Sequence, residues 1–416
     1  MANEELNITI GGDKKNTFPK EKDKPRLQDY NFYEKLFMGD HFTAFNEKIQ
    51  DKDFNKAYAK LRYVKANFAG LVSKVVADML FSEPITITLE NESQQKWLEE
   101  FIKDNKLHTL LYESALSNSY LGDVLFKLRV GARTPGDKIK SIIMSNTPPS
   151  IYFPETKLSD ISADPEVKVL AWTFEVVNQA NKTQKYLRKE IHTAGKIENK
   201  VWEMENEVIG KEVTLASVGL KGVQKEVDTK INRQLIVHIP NWKTVTRFWG
   251  ISDYYDLASL FYAINNRLTK VDNILDKHSD PILKVPSGVL DENGHVKKQD
   301  LGVVEVNSDD DGKLEYVVWD ASLENAFKEI DKMVEFLMMT SEVSPDILGM
   351  GKGQADSGRA LKFRMLRTIA KTSRKRLYYD HAIKEIIYRA ELLSKAWGLK
   401  AGGVAFTGEA TYPEIV

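Results

Sequence analysis

Apolar residues recur three and four positions apart along several stretches of the chain, the spacing of one helical face. Between Lys60 and Phe81 they are Leu61, Val64, Phe68, Leu71, Val75 and Met79, which predicts a helix over that stretch. Tyr30–Gln50 predicts another, carrying Phe32, Leu36 and Phe37, with Met38-Gly39-Asp40-His41 as its interruption. After Pro84 the pattern turns to a β-type run, Ile85–Leu89. Asn91 or Ser93 then offers a cap for a helix over Gln94–Lys103, His108–Tyr120 predicts a further helix, and Leu125–Val130 returns to strand.

From about Lys138 to Val237 the periodicity is that of strands. The runs Ser141–Ser145, Val167–Val177, Gln184–Ile191 and Lys196–Met204 are separated by Asn, Gly, Asp and Pro. They predict antiparallel hairpins in a β-rich subdomain, with Leu235–Pro240 as its last strand. The aromatic stretch Trp242–Trp249 follows.

Two later helices have a different pattern. Ser252 and Asp253 supply capping oxygens and first-turn negative charge. Leu257, Phe261, Ile264, Leu268, Val271 and Leu275 then alternate at spacings of four and three. That seam is narrower than the stripe of a globular surface helix. Asn265, Asn266, Arg267, Lys270, Asp272 and Asn273 take the other faces, so the helix is expected to pack along neighbouring helices and stay wet elsewhere. Pro281 ends it. The runs Ile282–Val285, Val303–Val306 and Leu314–Trp319 alternate with turn signals at Pro286, Asp291–Gly294 and Asp309–Gly312. A second seam, Leu323, Phe327, Ile330, Val334 and Leu337, lies in Ser322–Ser341. Two seam helices thus flank an extended excursion of about forty residues.

A glycine-rich loop, Val343–Asp356, leads to a predicted helix over Ser357–Trp397, about 60 Å long at 1.5 Å per residue. Its first half carries Arg359, Lys362, Arg364, Arg367, Lys371, Arg374, Lys375 and Arg376 with no acidic residue. Self-repulsion in such a run leaves two readings open: a solvated face, or a face for phosphate or an acidic neighbouring subunit. Leu361, Met365, Ile369 and Leu377 give the helix a packed side as well. Val404–Val416 is β-prone.

Composition narrows the chemistry. With 42% hydrophobic and 29% charged residues the chain has the balance of a globular protein, and 416 residues allow two or three packed units. No window approaches the ~18 consecutive apolar residues of a membrane span. The polar, lysine-rich segment Met1–Lys24 has no apolar core and reads as a solvated arm rather than a signal peptide. A net charge of −1 excludes a bulk polycation. The absence of cysteine excludes disulfides, thiolate nucleophiles and Cys-ligated metals. The loop around Lys352 lacks a phosphate-binding signature: Gly353 follows the lysine where Ser or Thr is needed, and a helix rather than a strand precedes it. The seven histidines form no metal pair, Asp309, Asp310 and Asp311 read as a solvated turn, and no Gly-x-Ser-x-Gly elbow occurs. No cofactor, metal or catalytic residue is assigned.

The layout resembles the portal (head-to-tail connector) family of tailed bacteriophages, particularly its Bacillus siphophage portal-like group, over residues 28 to 412. Tyr33-Glu34-Lys35-Leu36 with Gly39-Asp40-His41 resembles the family's N-terminal segment. Asn67, the helix to Phe81 and Pro84-Ile85-Thr86-Ile87 resemble its helix-then-strand element, with Ser82-Glu83 in place of the usual glycine. Ile239-Pro240 with Gly250-Ile251-Ser252-Asp253 is similar to the approach to the first stem helix, and Asp280-Pro281-Ile282-Leu283 to its exit. Asp356-Ser357-Gly358-Arg359-Ala360-Leu361-Lys362 resembles the start of the long wing helix.

The resemblance implies a non-enzymatic α+β protein in order along the chain. It has a flexible arm (1–27), a wing with a β-rich hairpin subdomain (28–249), a stem helix (250–280), a clip (281–320) and a second stem helix (321–342). A tunnel loop (343–356), a long wing helix (357–398) and a segment toward a minimal or missing crown (399–416) complete it. It further implies a homo-oligomeric ring of about twelve subunits in the virion, assembled in the host bacterial cytoplasm. The implied partners are double-stranded DNA, the terminase large subunit, a head-completion or adaptor protein, and the major capsid and scaffolding proteins, with no membrane. Ile347, Leu348, Met350, Lys352 and Gln354 become candidate tunnel-loop contacts, and Arg267, Lys270, Lys328 and Lys332 candidate stem-lumen contacts. Each stem residue is equally open to a salt bridge with a neighbouring subunit. Asp291, Glu292, His295, Lys297 and Lys298 become candidate clip-docking residues, and Arg359, Lys362, Arg364, Arg367 and Lys371 the basic face of the wing helix. A phosphate- or nucleic-acid-acting enzyme that uses the loop, or another head structural protein, are the alternatives.

Overall fold

The computed structural model describes residues 16–49, 63–133, 140–157, 159–177, 181–279, 282–284, 315–317, 323–351 and 357–415. They form an α+β fold in two compact units. The larger comprises Met1–Asp40, Asn67–Leu257 and Ser341–Val416; the smaller comprises His41–Ala66 and Ala258–Thr340.

The core of the larger unit is built on a three-stranded antiparallel sheet. Asp123–Gly131 is its centre, flanked by Ser141–Thr147 and Ile236–Pro240. Leu125, Phe126 and Leu128 are fully buried in the central strand, because helices cover one face and aromatic residues the other. Phe68–Phe81, Leu107–Leu121 and Leu366–Trp397 supply the helical layer, and Ile383, Ile386, Ile387, Ala390 and Leu393 pack the last of these into the core. Arg389 on that helix donates to the carbonyls of Gln234 and Ile236, both at 3.0 Å, where strand Ile236–Pro240 begins.

The second sheet is an antiparallel meander of Lys168–Val177, Thr183–Thr193, Lys196–Glu205 and Val208–Val213, with Glu226–Asp228 also paired to its third strand. The expected hairpins are therefore present, but two strands assigned to them belong elsewhere. Ser141–Thr147 and Ile236–Pro240 both pair with Asp123–Gly131, because their apolar residues match the core below the long helix rather than the meander.

Several element boundaries move for local reasons. The helix expected from Lys60 begins at Phe68, where Asn67 accepts a hydrogen bond from the Gly70 amide at 3.0 Å and caps it. Asn91, rather than Ser93, caps Glu92–Asn105. The arm expected to run to residue 27 is structured before that point. Phe18 packs edge-on against Phe153, and helix Lys24–Phe37 starts with Pro25 in its first turn. A turn at Met38-Gly39-Asp40 then separates it from His41–Ile49, as the interruption implied. Residues 399–415, expected to lead toward a crown, fold back onto the core. Phe406 meets Trp97 edge-on, Tyr412 stacks on Tyr388 at 4.5 Å, and Glu414–Ile415 pairs with Ile87–Thr88.

Gly122 and Gly250 bring two backbones together where side chains would not fit. Gly122 has φ +89°, its carbonyl accepts from the Asn241 amide at 2.7 Å, and a Cβ on Gly250 would stand 2.0 Å from that carbonyl oxygen. Gly250→Ala is expected to cost about 3 kcal/mol, since the obstacle is backbone and cannot rotate away. The urea midpoint of the purified variant measures this.

In the smaller unit, Ala258–Ser279 and Leu323–Ser341 are the two seam helices. Phe261, Ile264 and Val271 are buried, as are Ile330 and Leu337 of the second seam, while Leu257, the first seam residue, precedes the helix and is buried in the larger unit. Asn265, expected on a wet face, is instead fully buried with Thr269. Asn265 accepts from the Ala66 amide at 2.8 Å and Thr269 from the Val64 amide at 3.1 Å, so two side chains one turn apart hold an extended segment along the helix. Ile282–Lys284 and Glu315–Val317 pair antiparallel, so the excursion between the helices leaves and returns through adjacent strands.

Candidate functional site: the root of the glycine-rich loop

The glycine-rich loop begins at the end of helix Leu323–Ser341. Glu342 takes a left-handed conformation, φ +59°, which turns the chain off the helix axis. Ser344 then caps a short turn, Pro345–Leu348, and Gly349 at φ +69° closes it. Ile347 and Leu348 lie half-buried in this turn and Met350 is exposed. Lys352 and Gln354 lie outside the described residues.

The helix expected as one piece from Ser357 is two. Ser357 accepts from the Ala360 amide and caps Gly358–Arg364, and Leu366–Trp397 follows after Met365. A buried polar stripe runs along the start of the second helix at Thr368, Lys371 and Lys375, spaced three and four apart. The Thr368 hydroxyl accepts from the Ser344 amide and donates to the Glu342 carbonyl, both at 2.8 Å. Lys371 donates to the Ser341 carbonyl at 2.9 Å and lies 3.2 Å from Asp253. Lys375 contacts both Asp253 oxygens, at 3.0 and 2.8 Å, and also donates to the Asn241 side chain.

Asp253 is the centre of this arrangement. Ser119 Oγ donates to its Oδ2 at 2.6 Å and Asn241 Nδ2 lies 3.2 Å from its Oδ1. Burial alone would push this carboxyl up, but Lys371, Lys375 and the Ser119 hydrogen bond hold it well below the usual carboxylate range. Burial pushes the Lys375 ammonium down, to about 8, against the attraction of Asp253 and with the repulsion of Lys371. Asp253 is therefore not the helix-capping group its position before Ala258–Ser279 suggested. Ser252 is not one either: its hydroxyl accepts from the Tyr254 amide and donates to the Tyr120 carbonyl. No signal in the sequence singled out Asp253 as a buried charge, because its lysine partners lie more than a hundred positions away.

The basic run, which has no acidic residue between Arg359 and Arg376, finds acids elsewhere in the chain. Arg367 pairs with Glu342 at 2.8 Å, Arg374 pairs with the same carboxylate, and Arg364 reaches Asp346 at 3.4 Å. Lys371, grouped at first with an outward basic face, points into the protein. Arg359 and Lys362 remain exposed, the former near the Phe363 ring. On the seam helices Arg267 bridges to Glu329 at 3.0 Å, Lys328 pairs with Glu324 and Lys332 with Glu335, both at 2.6 Å, and Lys270 is exposed. Asp291, Glu292, His295, Lys297 and Lys298 lie outside the described residues.

Among the described residues no group of three or more His, Asp or Glu could hold a metal ion, and no helix is long and apolar enough to cross a membrane. The family model described as phage portal protein, SPP1 Gp6-like, matches residues 18–404. No curated protein matches the chain.

Proposed function

The chain belongs to the SPP1 Gp6-like family of phage portal proteins, and from that membership we propose that its copies close into a ring of about twelve subunits around a duplex-DNA channel at one capsid vertex. The observation that carries this reading is the pair of seam helices joined through the antiparallel strands Ile282–Lys284 and Glu315–Val317. That path fits a two-helix stem whose intervening residues, 281 to 320, form the clip. Large apolar side chains on these helices are left exposed among the described residues: Leu275, Phe327, Phe336 and Met339. A neighbouring stem would cover them in a heterologous, closing interface.

In this reading residues 343–356 form the tunnel loop, with Ile347, Leu348, Met350, Lys352 and Gln354 meeting the DNA. Arg267, Lys270, Lys328 and Lys332 face the channel along the stem. Three of these four cations already have a carboxylate partner, so their hold on phosphate is weak. That suits translocation, because each fully neutralised phosphate adds to affinity through counterion release and would slow a moving duplex. The exposed Arg359 and Lys362 are the remaining candidates for phosphate contact from the wing helix.

The role is passive. The ring seeds head assembly with capsid and scaffolding proteins and admits DNA driven by the terminase large subunit, which hydrolyses the ATP. Its clip, with Asp291, Glu292, His295, Lys297 and Lys298, docks that motor and later the head-completion protein. Negative-stain electron microscopy with a mass measurement tests the proposal. Rings with a central hole and about twelve subunits are expected; monomers or dimers at every salt and protein concentration would overturn it.

A further inference from the structure

The stripe Thr368, Lys371 and Lys375 does not serve one purpose along its length. Thr368 touches the root of the loop, through Ser344 and Glu342. Lys375 touches the opposite side, through Asp253 and Asn241. Lys371, between them, reaches both: the Ser341 carbonyl on one side and the Asp253 carboxylate on the other. These partners sit beside the two points, after Leu257 and before Ser341, at which the chain passes between its compact units.

We propose that Lys371 is a positioning residue that fastens the root of the glycine-rich loop to the Asp253 turn, so that the two segments are held or released together. The inference rests on reading residues 343–356 as the loop that meets DNA, and it adds the side chain that sets where the loop starts. The alternative ties are weaker. Arg367 and Arg374 bind the Glu342 carboxylate from side chains that are largely exposed, where solvent screens an ion pair. The Lys371 and Asp253 side chains are 8% and 2% exposed. In that environment a charge stripped of its partner is costly, and the pair resists separation. Lys375 and Ser119 still hold Asp253 if Lys371 is removed, so the turn keeps a partnered carboxylate and the unit can fold.

Hydrogen exchange on the full-length protein, assembled as it is purified, tests the coupling by two readouts at once. The first is the loop-root amides of Ser344, Ile347, Gly349 and Met350, and the second the turn amides of Asp253, Tyr255 and Leu257; all seven are hydrogen-bonded in the structure. Lys371→Met is expected to speed exchange about tenfold in both sets while core amides on Asp123–Gly131 stay protected. Lys371→Arg, which keeps the charge and the reach, restores both. Thr368→Val loosens only the loop-root set. If Lys371→Met loosens one set and not the other, or loosens the core equally, the coupling is wrong. A second arm measures DNA retained in filled heads that carry Lys371→Met, expected to fall severalfold. Loosening of both amide sets with unchanged DNA retention would leave the coupling standing and overturn the reading of the loop as a DNA contact.

Discussion

Asp253→Ala destabilises the larger unit by about 3–5 kcal/mol at neutral pH, the range for removing one partner from a buried ionic cluster. The size follows from what stays behind. Lys371 and Lys375 remain almost fully buried with like charges adjacent, and the Ser119 hydroxyl loses its acceptor. The pH dependence carries a signature. The Asp253 carboxyl is depressed in the folded state, so its contribution is present above its unfolded pKa, about 3.9, and is lost as pH falls through the folded value. Lys375 gives a slope of the same sign in a higher window. Its folded pKa, about 8, lies below its unfolded value, so the unfolded chain binds more protons across that window and this residue makes stability rise with pH there. In Asp253→Ala the attraction that kept Lys375 charged is gone, and its pKa drops further. The variant therefore begins to recover with rising pH earlier than the wild type, from below pH 8, and lacks the Asp253 share of the wild type's loss in acid below pH 4. Urea unfolding from pH 3 to 10 reads both limbs. A variant within about 1 kcal/mol of wild type at pH 7 would show that the cluster is not worth what its burial implies.

The environments of Asp253 and Lys371 show which parts of this protein could be read from the chain. Periodicity located the helices well, because a buried face imposes its spacing wherever the helix packs. The interruption after Phe37, the hairpins and both seams followed from residues within a few positions of each other. Pairing between distant strands did not: Ile236–Pro240 has the same alternation whether it joins the meander or the central sheet, and only the core decides. The basic run was harder still. Eight cations without an acid suggested an outward face, since charges on one helix reveal nothing about acids brought from residues 253, 342 and 346. Lys371 and Lys375 share the sequence signature of Arg359 and Lys362 but have the opposite environment. The start of the seam helix misled for a related reason. Ser252 and Asp253 fit a capping pattern, yet a carboxylate offered two buried ammonium groups gains more there than at a solvated helix end.

Phe336→Asp leaves the isolated subunit folded and abolishes ring formation. The side chain is 53% exposed, and Met339, one turn on, is 74% exposed, so an acid there disturbs little within the chain. Surface replacements of this kind stay within about 0.5 kcal/mol. At a subunit contact the same change removes an aromatic anchor and buries a charge, which costs about 2–4 kcal/mol at a well-packed site. Every 1.4 kcal/mol is about tenfold in affinity, so each joint weakens about 30-fold or more. A closed ring repeats the joint about twelve times, and the penalties multiply along the circle, so a change that a single dimer would survive stops closure. Native mass measurement and negative-stain images should show free subunits for Phe336→Asp, with circular dichroism and urea midpoint unchanged. Lys270→Asp, at an exposed position on the other seam helix, serves as the comparison, because a position that faces the channel, as proposed for Lys270, should leave closure intact. If Phe336→Asp closes rings as the wild type does, this face of the helix is not the stem contact, and the uncovered apolar residues at 327 and 275 become the ones to test.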